Sequence, residues 1–195
     1  MEKIFFLASV KAALLQRGAV AVEFALVFPL FLVLLVGTIE FGRLAYLWNT
    51  VQEVSRSAAR KAVVTDFTDA AAIAALRRAA VFRSTDGTLP ASTEISNANV
   101  DIKYLNAAGA VPAVMPLDPG DNIAACLDAT RTDSCIRFVE VKVCTTDTCG
   151  PIPFVPLIGF LSARAGSLST WSMPSIPLPV STVRMPVESL GFSGA

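Results

Sequence analysis

The chain has 195 residues, enough for one small folded domain besides an anchor, and a formal net charge of zero that is unevenly spread. Residues 1–65 hold seven Lys/Arg against four Asp/Glu, and residues 66–195 hold nine against twelve, so the far part is mildly acidic and gives no electrostatic case for nucleic-acid binding. Histidine is absent, which excludes His-based acid–base catalysis, His metal sites and every Ser-His-Asp or Cys-His arrangement.

The first 17 residues carry Lys3, Lys11 and Arg17 around an apolar patch, Ile4-Phe5-Phe6-Leu7-Ala8. Gly18 follows. From Ala19 to Ile39 the only ionisable side chain is Glu23. About 20 apolar residues suffice to cross a hydrocarbon core as a helix, so this stretch predicts a transmembrane helix whose membrane part is about 19–44. Pro29 removes one backbone hydrogen bond and predicts a kink, and Gly37 and Gly42 are weak points. Apolar residues then recur at Leu44, Leu47, Val51, Val54, Ala58 and Ala62, the steps of one helix face. Tyr46 and Trp48 come where amphipathic rings favour the membrane–water boundary. One helix over 19–64, roughly 65–70 Å long, is predicted to cross the bilayer and continue beyond it.

Glu23 is the anomaly in this span. A carboxylate held in lipid costs a few kcal/mol unless it is paired or stays near the headgroups. One reading is a near-interface acid that snorkels or is protonated. The other is an acid that waits for a cation. A cut after Gly18 would make Glu23 the fifth residue of the new chain and put an amine on Ala19. The Glu of one helix could then meet the amine of a staggered neighbour.

The string Arg17-Gly18-Ala19-Val20-Ala21-Val22-Glu23-Phe24-Ala25-Leu26-Val27-Phe28-Pro29, followed by Glu40-Phe41-Gly42-Arg43 and by Ala59-Arg60, resembles the TadE-like pseudopilins of the tight-adherence (Flp-type) pilus system. The close match covers roughly residues 17–62. The ending Val183-Arg184-Met185-Pro186-Val187-Glu188-Ser189-Leu190-Gly191 resembles the tails of some members. The resemblance implies that an aspartyl prepilin peptidase cuts between Gly18 and Ala19. It also implies that Glu23, beside Phe24, is the recognised and assembly-critical acid, and that Glu40, Gly42 and Arg43 are a helix motif. The implied partners are the lipid bilayer, the peptidase, other pilin and pseudopilin subunits, and inner-membrane pilus assembly proteins. Basic residues flank both ends of the span, so their count does not set its orientation. The prepilin-like site and the late cysteines place the leader in the cytoplasm and the C-terminal domain on the periplasmic, extracytoplasmic side of the inner membrane. A cleavable secretory signal fits less well, because no small-x-small site follows the apolar run.

Beyond the long helix, residues 65–69 are rich in capping groups, and residues 70–82 predict an Ala-rich second helix with Ile73, Leu76, Ala80 and Val81 inward. Arg77, Arg78 and Arg83 suit its C-terminal dipole. Residues 84–90 read as a loop. Val100, Ile102 and Tyr104 alternate as one face of a strand, and residues 110–121 read as loop, with Asp118-Pro119-Gly120-Asp121-Asn122 as a turn. Residues 135–144 are the strongest strand, with Val139, Val141 and Val143 on one face and Phe138, Glu140 and Lys142 on the other.

The four cysteines, Cys126, Cys135, Cys144 and Cys149, form an even, late cluster that points to disulfides in an oxidising compartment. Local pairing favours Cys126 with Cys135 and Cys144 with Cys149. Four cysteines allow three pairings, and a four-thiolate zinc site is the rival, although such sites usually show tighter C-x2-C pairs. Residues 151–161 are the most apolar part of the far domain, suited to the core or, alternatively, to a docking patch for a partner or a membrane surface. Residues 167–171 and 180–185 read as strands, and 193–195 as a loose end.

These elements predict an α+β, pilin-like fold in three parts: a leader (1–18), a transmembrane and stalk helix (19–64), and an extracytoplasmic domain (65–195). No Gly-rich phosphate loop, G-x-S-x-G or S-x-x-K string is present, so a structural protein without cofactor or metal is expected, rather than an enzyme. The leading expectation is a minor pilin-like subunit, processed by prepilin peptidase. The alternative is an uncleaved, signal-anchored envelope protein with a ligand- or surface-binding domain.

Overall fold

The structure, a computed structural model, describes residues 2–156 and 176–192, with side chains from residue 20 onward. Helix α1 spans Glu2–Ala62 and includes Pro29. Sequence reasoning places the helix over 19–64, from the start of the apolar run, and sets residues 1–18 apart as a leader. The structure carries it back through the leader, whose Ala- and Leu-rich run has no breaker before Gly18. The chain divides into two compact units, Met1–Gly42 and Arg43–Ala195.

In the first unit, large apolar side chains stand exposed from Val20 to Ile39, including Phe24, Leu26, Leu30, Leu34 and Ile39. No polar face balances them. The mean hydropathy of this stretch reaches 2.6, which by length and composition suits a membrane crossing.

The second unit is built on the last third of α1. Leu47, Val51, Val54, Ala58 and Ala62 are buried, and Leu44 packs partly against the same core. The steps of three and four read from the sequence are thus the core stripe of this unit. Helix α2, Ala70–Ala80, begins at Asp69, whose side chain accepts hydrogen bonds from the Ala71 and Ala72 amides at 2.8 and 3.0 Å. It buries Leu76 and Ala80, and Val81 follows them into the core.

Strands β1 (Val100–Leu105), β2 (Phe138–Val143) and β3 (Ser181–Pro186) form an antiparallel sheet in that order. Ile102 pairs with Val141, and Val141 with Val183. Val139, Val141 and Val143 are buried, the inward face that alternation predicts. The Ser55 and Ser181 hydroxyls, 2.6 Å apart, join α1 to β3 within this unit.

One sequence expectation is corrected here. Helix α3, Pro119–Leu127, occupies part of what reads as loop, and the Asp118–Asn122 string is its start rather than a turn. Asp118 is the N-cap, accepting from the Asp121 amide at 2.7 Å, and Pro119 sits in the first turn, where a missing N–H costs nothing.

Ile152 and Phe154 are buried, so the described part of the apolar 151–161 segment contributes to the core, while Val155 is exposed. Its remainder (157–161), the strand expected at 167–171 and the end at 193–195 lie outside the described residues. The C-terminal segment closes over the end of α1: the Glu188 and Leu190 amides donate to the Val63 carbonyl at 3.2 and 3.1 Å.

Candidate functional site

The residues singled out by the sequence fall into three places. Gly18 and Ala19 lie within the helical backbone of α1. Glu23 and Phe24 follow them on the same helix and are exposed, Phe24 stacking on Phe28 with ring centroids 5.1 Å apart. Glu40 lies 17 residues after Glu23, about 25 Å along the helix, and is buried. Among the described residues a Cβ added to Gly42 would meet nothing within 4 Å, so no clash with them demands the glycine there.

Arg43, which opens the second unit, is the best-defined of these residues. Its guanidinium reaches two loops far away in sequence. Nε donates to the Ala91 carbonyl at 3.2 Å, while Nη1 and Nη2 donate to the Val155 carbonyl at 2.9 and 3.0 Å. Nη2 also pairs with the Glu94 carboxylate, and the guanidinium carbon lies 4.6 Å from the centroid of the Phe154 ring. The Arg43 and Glu94 side chains are 7% and 2% exposed, so the ion pair is sealed from water.

Burial pushes the Glu94 carboxyl up. Hydrogen bonds from the Ser92 hydroxyl and from the Val155 and Thr93 amides outweigh that and hold it below its usual 4.5. Ala91 bends through a left-handed φ of 59° to present its carbonyl. Sequence reasoning marks Arg43 but misses its partners. The only sign of Glu94 is that it is the sole charged residue between Asp86 and Asp101.

Cys126 bonds to Cys135, and Cys144 to Cys149. The first bridge anchors the end of α3 beside Ile136. The second closes a turn in which the Thr145 amide donates to the Gly150 carbonyl at 3.0 Å. Asp101 lies close to Cys144 and Cys149, but those sulfurs are tied in a disulfide and offer no thiolate to a metal. A cleft of about 390 Å³ beside them, lined by Arg77, Asn99, Asp101, Lys103 and Thr145 among others, brings no nucleophile against a general base among the described residues.

Within this geometry the comparison with known families is decisive for one segment. The family described as TadE-like protein matches residues 18–60. Residues 18–60 are similar to that family. The matched segment starts at Gly18, takes in Glu23, the exposed apolar run and Arg43, and ends within the core stripe of the second unit. The likeness over this segment suggests a protein related to the Tad pilus system, and the long apolar helix suits membrane anchoring. No curated protein and no solved structure matches the chain significantly.

Proposed function

We propose that this chain is a minor pilin-like (pseudopilin) subunit of a tight-adherence pilus. Residues 19–44 hold it in the inner membrane, with residues 1–18 a cytoplasmic leader and residues 65–195 outside. The observation that carries this reading is the family match beginning at Gly18, with one exposed acid, Glu23, five residues later on an otherwise apolar helix.

The mechanism is physical. Hydrolysis of the Gly18–Ala19 peptide leaves a carboxylate on Gly18 and an ammonium on Ala19. The bond lies in a helix, so it must unwind locally to enter a peptidase, and the glycine lowers the cost of doing so by about 1 kcal/mol relative to alanine. Glu23 lies about 6 Å further along the helix, so a neighbour displaced by that distance brings its ammonium against the carboxylate. The pairing neutralises two charges that would each be costly in hydrocarbon. Ala21 and Ala25, both small, permit close helix approach beside it.

Co-expression with a prepilin peptidase, followed by N-terminal sequencing of the membrane-bound product, tests the processing. Ala19 is the expected first residue. A start at Met1 or Glu2, while a control prepilin is cut, rejects it. Glu23→Ala is expected to insert into the membrane normally and to lose co-purification with partner pilins. Undiminished co-purification contradicts the pairing.

A further inference from the structure

We infer that the outward face of α3 and the groove beside it pair with the same surface on a second copy of this chain, about a twofold axis. The inference goes beyond the assembly role proposed above and uses residues of the second unit alone. A helix lying on a folded unit normally turns polar side chains to water. Helix α3 does the reverse: its exposed residues after the first turn are Ile123, Ala124 and Leu127. Leu127 is 83% exposed and Ile123 44%. Beside them lies a groove of about 400 Å³ walled by Ile123, Leu127, Phe138, Pro186 and Val187. Knob and hole thus sit on one surface, and in a twofold contact the Leu127 of each chain enters the groove of the other. The apolar area this removes from water favours the exchange.

Charge identifies the occupant. Arg137 and Glu188 both line the groove and are exposed. Neither side chain has an ion pair or a hydrogen bond among the described residues. A surface that offers one unused cation and one unused carboxylate is its own electrostatic complement. The twofold sets the Arg137 of each chain against the Glu188 of the other and forms two ion pairs at once. An anionic lipid surface would attract Arg137 but repel Glu188. The face is also held rigid, which lowers the entropy cost of docking. The Cys126–Cys135 bridge ties the last turn of α3 to the segment leading into β2, and the Asn122 Oδ1 accepts from the Ile136 amide at 2.8 Å.

Sedimentation equilibrium of the full chain, with its disulfides oxidised, in density-matched detergent tests this. The wild-type chain is expected to dimerise at micromolar concentration. Arg137→Glu alone places like charges in both contacts, as does Glu188→Arg alone, and each is expected to weaken the dimer at least about tenfold. Mixed in equal amounts, the two variants restore both contacts in the mixed dimer, so affinity is expected to return to within about threefold of wild type. An ion pair made within one chain would not be rescued by mixing. Leu127→Ser is expected to weaken the dimer as well, with an unchanged circular dichroism spectrum. A wild-type chain that stays monomeric overturns the inference and assigns the face to another occupant. A dimer that both charge variants leave unchanged, or that mixing fails to restore, also overturns it and places the contact elsewhere on the chain. None of these outcomes bears on whether Ala19 becomes the first residue, so the processing reading stands or falls separately.

Discussion

Arg43 presents five N–H donors in a rigid fork, and acceptors from two loops converge on it: the Ala91 and Val155 carbonyls and the Glu94 carboxylate. Arg43→Ala would leave the Glu94 carboxylate buried without its cation, and breaking such a pair costs about 3–5 kcal/mol. Thermal unfolding in detergent should therefore show a large fall in Tm. Arg43→Lys restores a charge for Glu94 but cannot fork to both carbonyls, so its Tm is expected between the two. In a double-mutant cycle with Glu94→Gln the losses should not add, with a coupling of about 0.5–3 kcal/mol, because both residues serve one network; additive losses would mean that the pair is not coupled. Gly191 tells a second story at this scale. Its φ is +83°, and an added Cβ would lie 2.7 Å from the Asp66 amide nitrogen, against backbone that cannot yield cheaply. Gly191→Ala is thus expected to destabilise the second unit by about 1–3 kcal/mol in a urea titration. An unchanged midpoint would show that the tail does not close on the end of α1.

Strand β2 is central in the described sheet and carries a carboxylate, Glu140, between two cations. Arg184 from β3 donates to it at 2.7 Å, and Lys142 on its own strand approaches at 2.9 Å. Those hydrogen bonds, Arg184 first, hold the Glu140 carboxyl below its usual 4.5, as the loop amides and Ser92 do for Glu94. A depressed carboxyl stabilises the fold fully above the unfolded value and loses that contribution as pH falls through the folded one. Stability of the second unit should accordingly be flat from neutral pH down to about 4.5 and fall below it. Glu140→Gln combined with Glu94→Gln should flatten that acid limb in denaturation curves recorded against pH; an unaltered limb would assign it to other carboxylates. The same elements show what a sequence reveals. The stripe from Leu47 to Ala62 and the alternation of Val139, Val141 and Val143 are local periodicities, so helix and strand were legible. Helix α3 also announced itself, through Asp118 as cap and Pro119 in the first turn, but nine residues are too few for periodicity to outweigh an Asp-Pro-Gly string that looks like a turn. The partners of Arg43 lie 48 to 112 residues away, and no spacing rule reaches that far.

At the scale of the molecule, two different physical devices hold the two units. The apolar stretch of the first unit exposes its side chains in every direction, which suits a lipid solvent. The second unit has a modest three-stranded sheet in its described part, and two covalent links restrict its unfolded chain. Loop-closure entropy assigns about 2–3 kcal/mol to each link, slightly more to Cys126–Cys135, which closes the longer loop with a separation of 9 against 5. Reduction acts on the second unit alone, because all four cysteines lie there. Treating vesicle-reconstituted protein with a thiol reductant should therefore lower the unfolding temperature of the second unit without releasing the chain from the bilayer in flotation. Replacing Cys126 and Cys135 together by serine should cost somewhat more stability than replacing Cys144 and Cys149. Release of the reduced chain from vesicles would mean that a folded second unit, and not the apolar helix, is what keeps the protein at the membrane.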